Sequence, residues 1–148
     1  MRSWFISAPL LLSLFTQTAG AETISGRPSR IISGDKLILT TTDNQQLEVQ
    51  LLGIRVPAPT TKMGRAARKR LATLVAGRPI TVEYQIRNRW GHPLAKLLLG
   101  ETDINLRLVQ EGLAMHKPDF QTLKDNGLYS QAMQNAKKHG FGIWARAR

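Results

Sequence analysis

The sequence contains no cysteine. This excludes disulfide bonds, thiol catalysis and cysteine-type zinc sites, so a folded domain must be stabilised by its hydrophobic core alone. Histidine is scarce as well: His92, His116 and His139 lack the short spacing of metal ligands, and His139 instead fits the C-terminal end of a helix. Acidic residues number only 10 against 21 Lys and Arg, which gives a formal net charge of +11. Such an excess favours polyanionic partners, namely nucleic acid, anionic lipid headgroups or acidic glycans, although it also serves solubility alone.

A long apolar run is also missing, apart from a short one at residues 4–15. This run follows Arg2 and precedes Ala19-Gly20-Ala21, which fits the A-x-A pattern of a signal-peptide cleavage site. It is shorter than the roughly 20 residues that cross a bilayer. We therefore expect a signal peptide at residues 1–21, export to the periplasm or the medium, and no stable membrane span after cleavage. An uncleaved anchor or an N-terminal core helix are the alternatives.

Residues 22–148 have the length of one domain with a single core. They contain no internal repeat, no low-complexity segment and no linker, and without Arg2 their formal net charge is +10, against +11 for the whole chain. We expect a single domain that is monomeric.

Hydrophobic periodicity predicts the order of the structural elements in this domain. Alternating or β-branched runs predict strands at 27–32, 36–41, 46–54, 80–87 and 94–99, and helical spacing predicts helices at 62–76, 104–111 and 123–138. The last helix should bury Leu128, Ala132 and Ala136, and the turn after it should place Phe141 or Trp144 on the core. This order predicts an α+β fold that is mainly β: a five-stranded OB-type barrel with about three helices packed on it.

Basic side chains fall into two groups. The predicted helix at 62–76 has a stripe formed by Lys62, Arg65 and Lys69, which is either an ordinary solvated face or a phosphate-binding surface. Arg89, Trp90 and His92 share the turn between the last two strands. Trp90 either stacks on a nucleic-acid base there or packs against the turn or core.

Several motifs occur in a fixed order along the domain: Ser33-Gly34-Asp35-Lys36, the strand end at 49–57, the turn at 88–95, N-L-R-L-V-Q-E-G-L-A at 105–114, and the closing G-F-G-I-W. In this order and spacing they resemble the staphylococcal nuclease (thermonuclease) family, whose corresponding patterns are D-G-D-T, R-L-x-G-I-D-x-P-E, D-x-Y-G-R-x-L-A, N-x-x-L-V-x-x-G-L-A and G-x-W. The resemblance covers nearly all of residues 22–148 and implies the OB-type barrel.

The resemblance also implies a site, which this sequence has largely altered. The family hydrolyses phosphodiesters with one calcium ion, a carboxylate that acts on the attacking water, and two arginines on the phosphate. Only Asp35 retains a calcium-ligand residue of the family. The altered positions are Arg55 at the second calcium aspartate, Ala58 at the glutamate, and Gln50 and His92 at the two arginines.

We therefore expect no metal, no cofactor and no working catalytic residue. Arg55 should either form a charge-assisted pair with Asp35 in the place of the metal or turn to solvent. The motifs further predict that Asp35, Gln50, Arg55 and His92 cluster in one pocket at the side of the barrel.

The leading functional hypothesis is an exported, catalytically inactive domain that binds polyanions, above all nucleic acid. Its binding face should comprise Arg55, Arg89, Trp90, His92, Lys62, Arg65 and Lys69. One alternative is a nuclease or phosphodiesterase of DNA or RNA with a non-standard site, in which His92 acts as general acid or base and Arg55 holds the phosphate. Another is a module that contacts envelope proteins.

Overall fold

The computed structural model describes residues 20–118 and 125–146. Residues 1–19 of the predicted signal peptide and the predicted start of the last helix at 123 lie outside this part. The strands are β1 (Glu22–Ser33), β2 (Lys36–Thr41), β3 (Gln46–Leu51), β4 (Ile54–Arg55), β5 (Ile80–Arg87), β6 (Pro93–Leu99), β7 (Thr102–Asp103) and β8 (Met115–His116). The helices are α1 (Lys62–Val75), α2 (Ile104–Gln110), α3 (Asn126–His139) and a 3-10 turn, Gly142–Trp144. In the described ranges, no helix combines the length and apolarity that crossing a membrane requires.

Five strands close into a barrel. β1, β2 and β3 form an antiparallel meander, β1 also pairs with β5, and β5 pairs with β6. A parallel contact between β3 and β6, with Gln50 opposite Leu94, closes the ring. The predicted five-stranded OB-type barrel with three helices is thereby confirmed.

A glycine lets β1 serve two neighbours. Gly26 pairs with Thr41 of β2 and also with Ile80 of β5, so the strand changes partner at this residue. A Cβ at position 26 would lie 2.4 Å from the carbonyl oxygen of Thr40, a distance that no side chain tolerates. Glycine is therefore required where the two halves of the barrel meet.

The predicted third strand, 46–54, is wrong in its last part. β3 ends at Leu51, and Gly53 adopts φ 76°, a left-handed conformation that breaks the strand. The chain resumes as β4, which pairs with β8 in a separate two-stranded sheet, with Arg55 opposite Met115. Arg55 therefore lies outside the barrel wall.

Helix α2 is tied to the barrel by a buried amide. Asn105 is fully buried; its Oδ1 accepts from Leu97 N at 3.1 Å, and its Nδ2 donates to the carbonyls of Leu52 and Ala95 at 3.0 and 2.9 Å. Asp103 caps the same helix by accepting from Leu106 N. One polar side chain in the core thus fixes the helix to β6 and to the end of β3.

The predicted buried face of the last helix is partly wrong. Ala136 is buried, but Leu128 is 55% exposed and Tyr129 takes its place in the core. The Tyr129 hydroxyl donates to Asp103 Oδ2 at 2.7 Å, and burial, together with the charge of Asp103, raises the pKa of Tyr129. This hydrogen bond sets the rotation of α3 about its axis.

The turn after the last helix follows the prediction for only one of its two aromatics. Trp144 is half-buried, whereas Phe141 is 45% exposed and stacks on the His139 ring with centroids 5.3 Å apart. Trp144 is therefore the less exposed of the two aromatic side chains.

Candidate functional site

The β1–β2 turn holds Asp35 between β3 and α1. Leu51 N donates to the Asp35 carbonyl at 2.8 Å, and Ser33 Oγ donates to Asp35 Oδ1 at 2.7 Å. The turn is also packed on α1, because a Cβ at Gly34 would lie only 2.6 Å from the Ala67 side chain. The carboxylate is therefore held in place by the chain on either side of it.

The turn between β5 and β6 is organised by Asn88. Its Oδ1 accepts from the backbone N–H groups of Trp90 and His92, both at 3.0 Å, and its Nδ2 donates to Gln50 Oε1 at 3.4 Å. Asn88 thus shapes the turn and attaches it to β3. Asn88 was not among the predicted site residues, although asparagine three residues before a glycine is a common signal for such a turn.

His92 lies beside a carboxylate. Its Nδ1 is 3.4 Å from Glu48 Oε1, although the geometry is not that of a hydrogen bond. Glu48 and Gln50 alternate with buried Val49 and Leu51, as the strand pattern predicted. Asp35, Gln50 and His92 are consequently brought to one side of the barrel.

Arg55 does not join them through the predicted pair. It is exposed, and no ion pair between Arg55 and Asp35 occurs within 4.0 Å. Arg55 lies in β4, which follows the bend at Gly53 and pairs with β8, and Asp35 accepts from Ser33 instead. Of the two alternatives for Arg55, the pair with Asp35 was wrong, and the structure shows the other, in which Arg55 faces solvent.

Ala58 has a structural environment of its own. It is exposed, and its carbonyl accepts from Thr61 Oγ1 at 2.7 Å and from Thr61 N at 3.0 Å. Thr61 in turn caps α1 by accepting from Gly64 N at 3.0 Å. The segment that carries Ala58 therefore sets where α1 begins.

Three cations of α1 have hydrogen-bond partners among the described residues, and one of them is Arg65, whose Nη1 donates to the carbonyl of Thr60 at 2.5 Å. Arg70 forms a two-point ion pair with Glu111, with both contacts at 2.7–2.8 Å, and Arg68 donates to the carbonyl of Ile31. Hydrogen bonding to Arg70 lowers the pKa of Glu111. The predicted stripe of Lys62, Arg65 and Lys69 is exposed along the helix.

Trp90 is the most exposed large apolar side chain of the described residues. It is 62% exposed, and the Arg89 guanidinium lies 4.1 Å from its ring centroid. This exposure excludes packing in the core, while packing against the turn and stacking on a base both remain compatible with it. An exposed indole next to a cation is a surface on which a base can stack.

Comparison with known proteins decides the family. The model of the staphylococcal nuclease homologue family matches residues 48–146. The chain belongs to this family. A thermonuclease of Staphylococcus intermedius is 30% identical over 125 residues, which cover 79% of this chain and 74% of the relative. An uncharacterized endonuclease of Haemophilus influenzae is 26% identical over 144 residues, covering 97% and 79%, and the succinoglycan biosynthesis protein ExoI of Rhizobium meliloti is 31% identical over 148 residues, covering 94% and 74%.

The staphylococcal nuclease family uses calcium, and the residues present here do not fit that ion. Calcium takes about six to eight oxygen ligands, several of them carboxylates. At the corresponding positions Asp35 supplies one carboxylate, Arg55 supplies a cation and Ala58 supplies no side-chain ligand. Nowhere in residues 20–118 and 125–146 do three or more His, Asp or Glu side chains form a group that could hold a metal ion.

Proposed function

We propose that this member of the staphylococcal nuclease family is an exported domain that binds nucleic acid or a similar polyanion without hydrolysing it. The observation that carries the proposal is the state of the altered site. Gln50 is hydrogen-bonded to Asn88 and His92 lies beside Glu48, so neither position offers a free cation to a phosphate. Exposed cations are available on α1 and, at Arg89, in the turn between β5 and β6.

Binding would rest on charge and stacking. Lys62, Arg65 and Lys69 attract the phosphate backbone, which releases counterions, and Trp90 beside Arg89 stacks on an unpaired base. Neither contact reads the edge of a base, so little sequence preference is expected. Export to the periplasm or the medium, inferred from residues 1–21, is part of the same proposal.

Calcium-dependent hydrolysis would lack its essential parts. Phosphoryl transfer needs cations where negative charge develops and a group that handles the attacking water. With Gln50 and Ala58 at two of these positions and Arg55 at a metal position, a bound phosphodiester would meet no metal and no water-handling carboxylate. We therefore propose that calcium is not a cofactor of this protein.

One observation favours a second candidate, a metal-independent phosphodiesterase. His92 Nδ1 lies 3.4 Å from Glu48 Oε1, and an imidazole next to a carboxylate is a group that could act as general acid or base through its other ring nitrogen, Nε2. The Haemophilus influenzae relative is named an endonuclease, which fits this candidate as well.

Fluorescence anisotropy with a labelled single-stranded oligonucleotide at low salt tests the proposal. Arg65→Gln and Trp90→Ala should each weaken binding several-fold, whereas Arg78→Gln, an exposed arginine just beyond α1, should leave it within about twofold. Equal effects of Arg65→Gln and Arg78→Gln would show that binding depends only on net charge, which would contradict the proposal of a defined binding face. Cleavage of the oligonucleotide that persists in a chelator and disappears in His92→Gln would establish the second candidate instead.

A further inference from the structure

A basic cleft lies where α3 ends and the chain turns back. Its volume is about 640 Å³, and it is lined by Lys137, Lys138, His139, Trp144 and Arg146 together with small residues. None of these residues belongs to the turns that carry Asp35 and His92. The cleft therefore needs an explanation of its own.

The geometry of the turn builds this cleft. Gly140 adopts φ 65° and ends α3, after which the 3-10 turn brings Trp144 back against the helix, with the Lys137 amine 4.6 Å from the indole centroid. His139 Nδ1 lies 2.9 Å from the carbonyl of Asn135, so Nδ1–H donates to that oxygen and Nε2 is the nitrogen left for another partner. The side chains of the cleft are thus positioned by the backbone.

The basic side chains of the cleft form no ion pair with the part of the chain that the structure describes. No carboxylate of residues 20–118 and 125–146 lies within 4.0 Å of the cationic groups of Lys137, Lys138 or Arg146. The negative end of the α3 dipole accounts for basic residues in the last helical turn, but Arg146 lies beyond the helix. Trp144 Nε1 is buried and has no acceptor among the described residues, although such donors are normally paired.

We propose that this cleft binds a phosphate group, either as inorganic phosphate or as the phosphate ester of a nucleotide. The three cations match the several acceptor oxygens of that group, and Trp144, whose buried Nε1–H has no acceptor among the described residues, lines the same cleft. The volume falls within the range of about 300–1,000 Å³ typical of small-ligand sites, so there is space for a sugar or base attached to the phosphate. The site shares no residue with the proposed nucleic-acid face and does not depend on that function.

Nuclear magnetic resonance of the tryptophan indole N–H groups tests the proposal on the full chain. Inorganic phosphate and adenosine 5′-monophosphate are titrated separately at constant ionic strength, with Trp144→Phe used to assign the Trp144 resonance. Each ligand should shift that resonance saturably while the Trp90 resonance stays in place for inorganic phosphate. Tighter binding of the nucleotide would assign the site to phosphate esters, and equal affinity would assign it to the phosphate group alone.

Two double variants separate a built site from general attraction. Lys138→Gln/Arg146→Gln should weaken phosphate binding about tenfold, because each removes one exposed charge contact of the cleft. Lys62→Gln/Lys69→Gln removes the same charge from α1 and should leave phosphate affinity unchanged, while oligonucleotide binding shows the reverse pattern. A shift that does not saturate, or equal weakening in both double variants with unchanged thermal unfolding midpoints, would overturn the proposal.

Discussion

At the level of single residues, most side chains at the positions of the family's site contact a neighbouring residue. Asp35 accepts from Ser33, Gln50 accepts from Asn88, and His92 stays near Glu48. Arg55 is the exception, because it faces solvent with no partner at Asp35.

Arg55 therefore offers the clearest single substitution. Arg55→Asp should give weak calcium binding, with a Kd of about 10⁻³ M, because a second carboxylate replaces a cation at the metal position. DNA hydrolysis should stay absent, since Gln50, Ala58 and His92 remain and groups that act together are not additive. Isothermal titration calorimetry measures the binding, with Arg55→Gln as the control that removes charge without adding a ligand. Calcium binding by Arg55→Gln as strong as that by Arg55→Asp would contradict this reading.

A second residue tests the link between α2 and the barrel. Asn105→Leu keeps the side-chain volume but leaves the Leu97 N–H and the Leu52 carbonyl without the buried amide. The free energy of unfolding should fall by about 2–4 kcal/mol, the cost of unsatisfied buried polar groups. Urea denaturation measures the change, and Gln110→Ala, on the exposed side of the same helix, should stay within about 0.5 kcal/mol. A loss near that of the control would show that the amide is not needed.

At the level of elements, the ion pair between Arg70 and Glu111 joins α1 to the C-terminal end of α2. Arg70 and Arg107 both contact Glu111, at 2.7 and 3.2 Å. Arg70 thereby belongs to the packing of the two helices. Lys62, Arg65 and Lys69 are exposed, although Arg65 also donates to the carbonyl of Thr60.

Acid should weaken this junction. The pKa of Glu111 in the folded protein lies below its ordinary value of 4.5, chiefly because of the hydrogen bond to Arg70. The stabilisation it gives is therefore present above that value and is lost as the pH falls through the folded pKa. The stability difference between wild type and Glu111→Gln should be largest at pH 7 and shrink towards pH 3, measured by urea unfolding. Exposed Glu101→Gln serves as the control, and a difference that does not change with pH would contradict the prediction.

The sequence predicted elements better than it predicted which way particular side chains point. β2 has the predicted bounds, and the helix at 62–76 differs from α1 by one residue, because alternation and helical spacing are local signals. The order of the motifs was enough to predict that Asp35, Gln50 and His92 lie on one side of the barrel. The direction of Arg55 was not predictable in this way, because it follows from a left-handed Gly53 and from pairing with a strand some sixty residues away.

Leu128 and Asn88 show the same limit. The spacing of Leu128, Ala132 and Ala136 is helical, yet the hydrogen bond from Tyr129 to Asp103 turns the helix so that Leu128 faces solvent. Asn88 sits in a turn that the sequence located, but its bond to Gln50 joins residues that are 38 positions apart. Contacts of this kind form only in the assembled barrel, so the local pattern of the sequence does not predict them.

At the level of the whole molecule, the excess of positive charge should control binding to nucleic acid. The logarithm of the association constant for single-stranded DNA should fall linearly with the logarithm of the salt concentration, with little difference between sequences. Arg65→Gln should reduce the slope by about 1, since it removes one phosphate contact, while Arg78→Gln should not. Anisotropy titrations at several salt concentrations measure the slopes. Binding that persists at high salt or strongly prefers one sequence would contradict a charge-based interaction.

We propose that this protein does not hydrolyse nucleic acid, and one assay tests this directly. Purified wild-type protein is incubated with heat-denatured DNA with calcium and, separately, with a chelator, beside a staphylococcal thermonuclease as the active control. We predict no cleavage by this protein in either condition, because a metal site with only Asp35 retained and a phosphate site with Gln50 and His92 cannot support the family's chemistry. Robust cleavage that needs calcium, and that both the chelator and Asp35→Ala abolish, would show that the protein is a working nuclease.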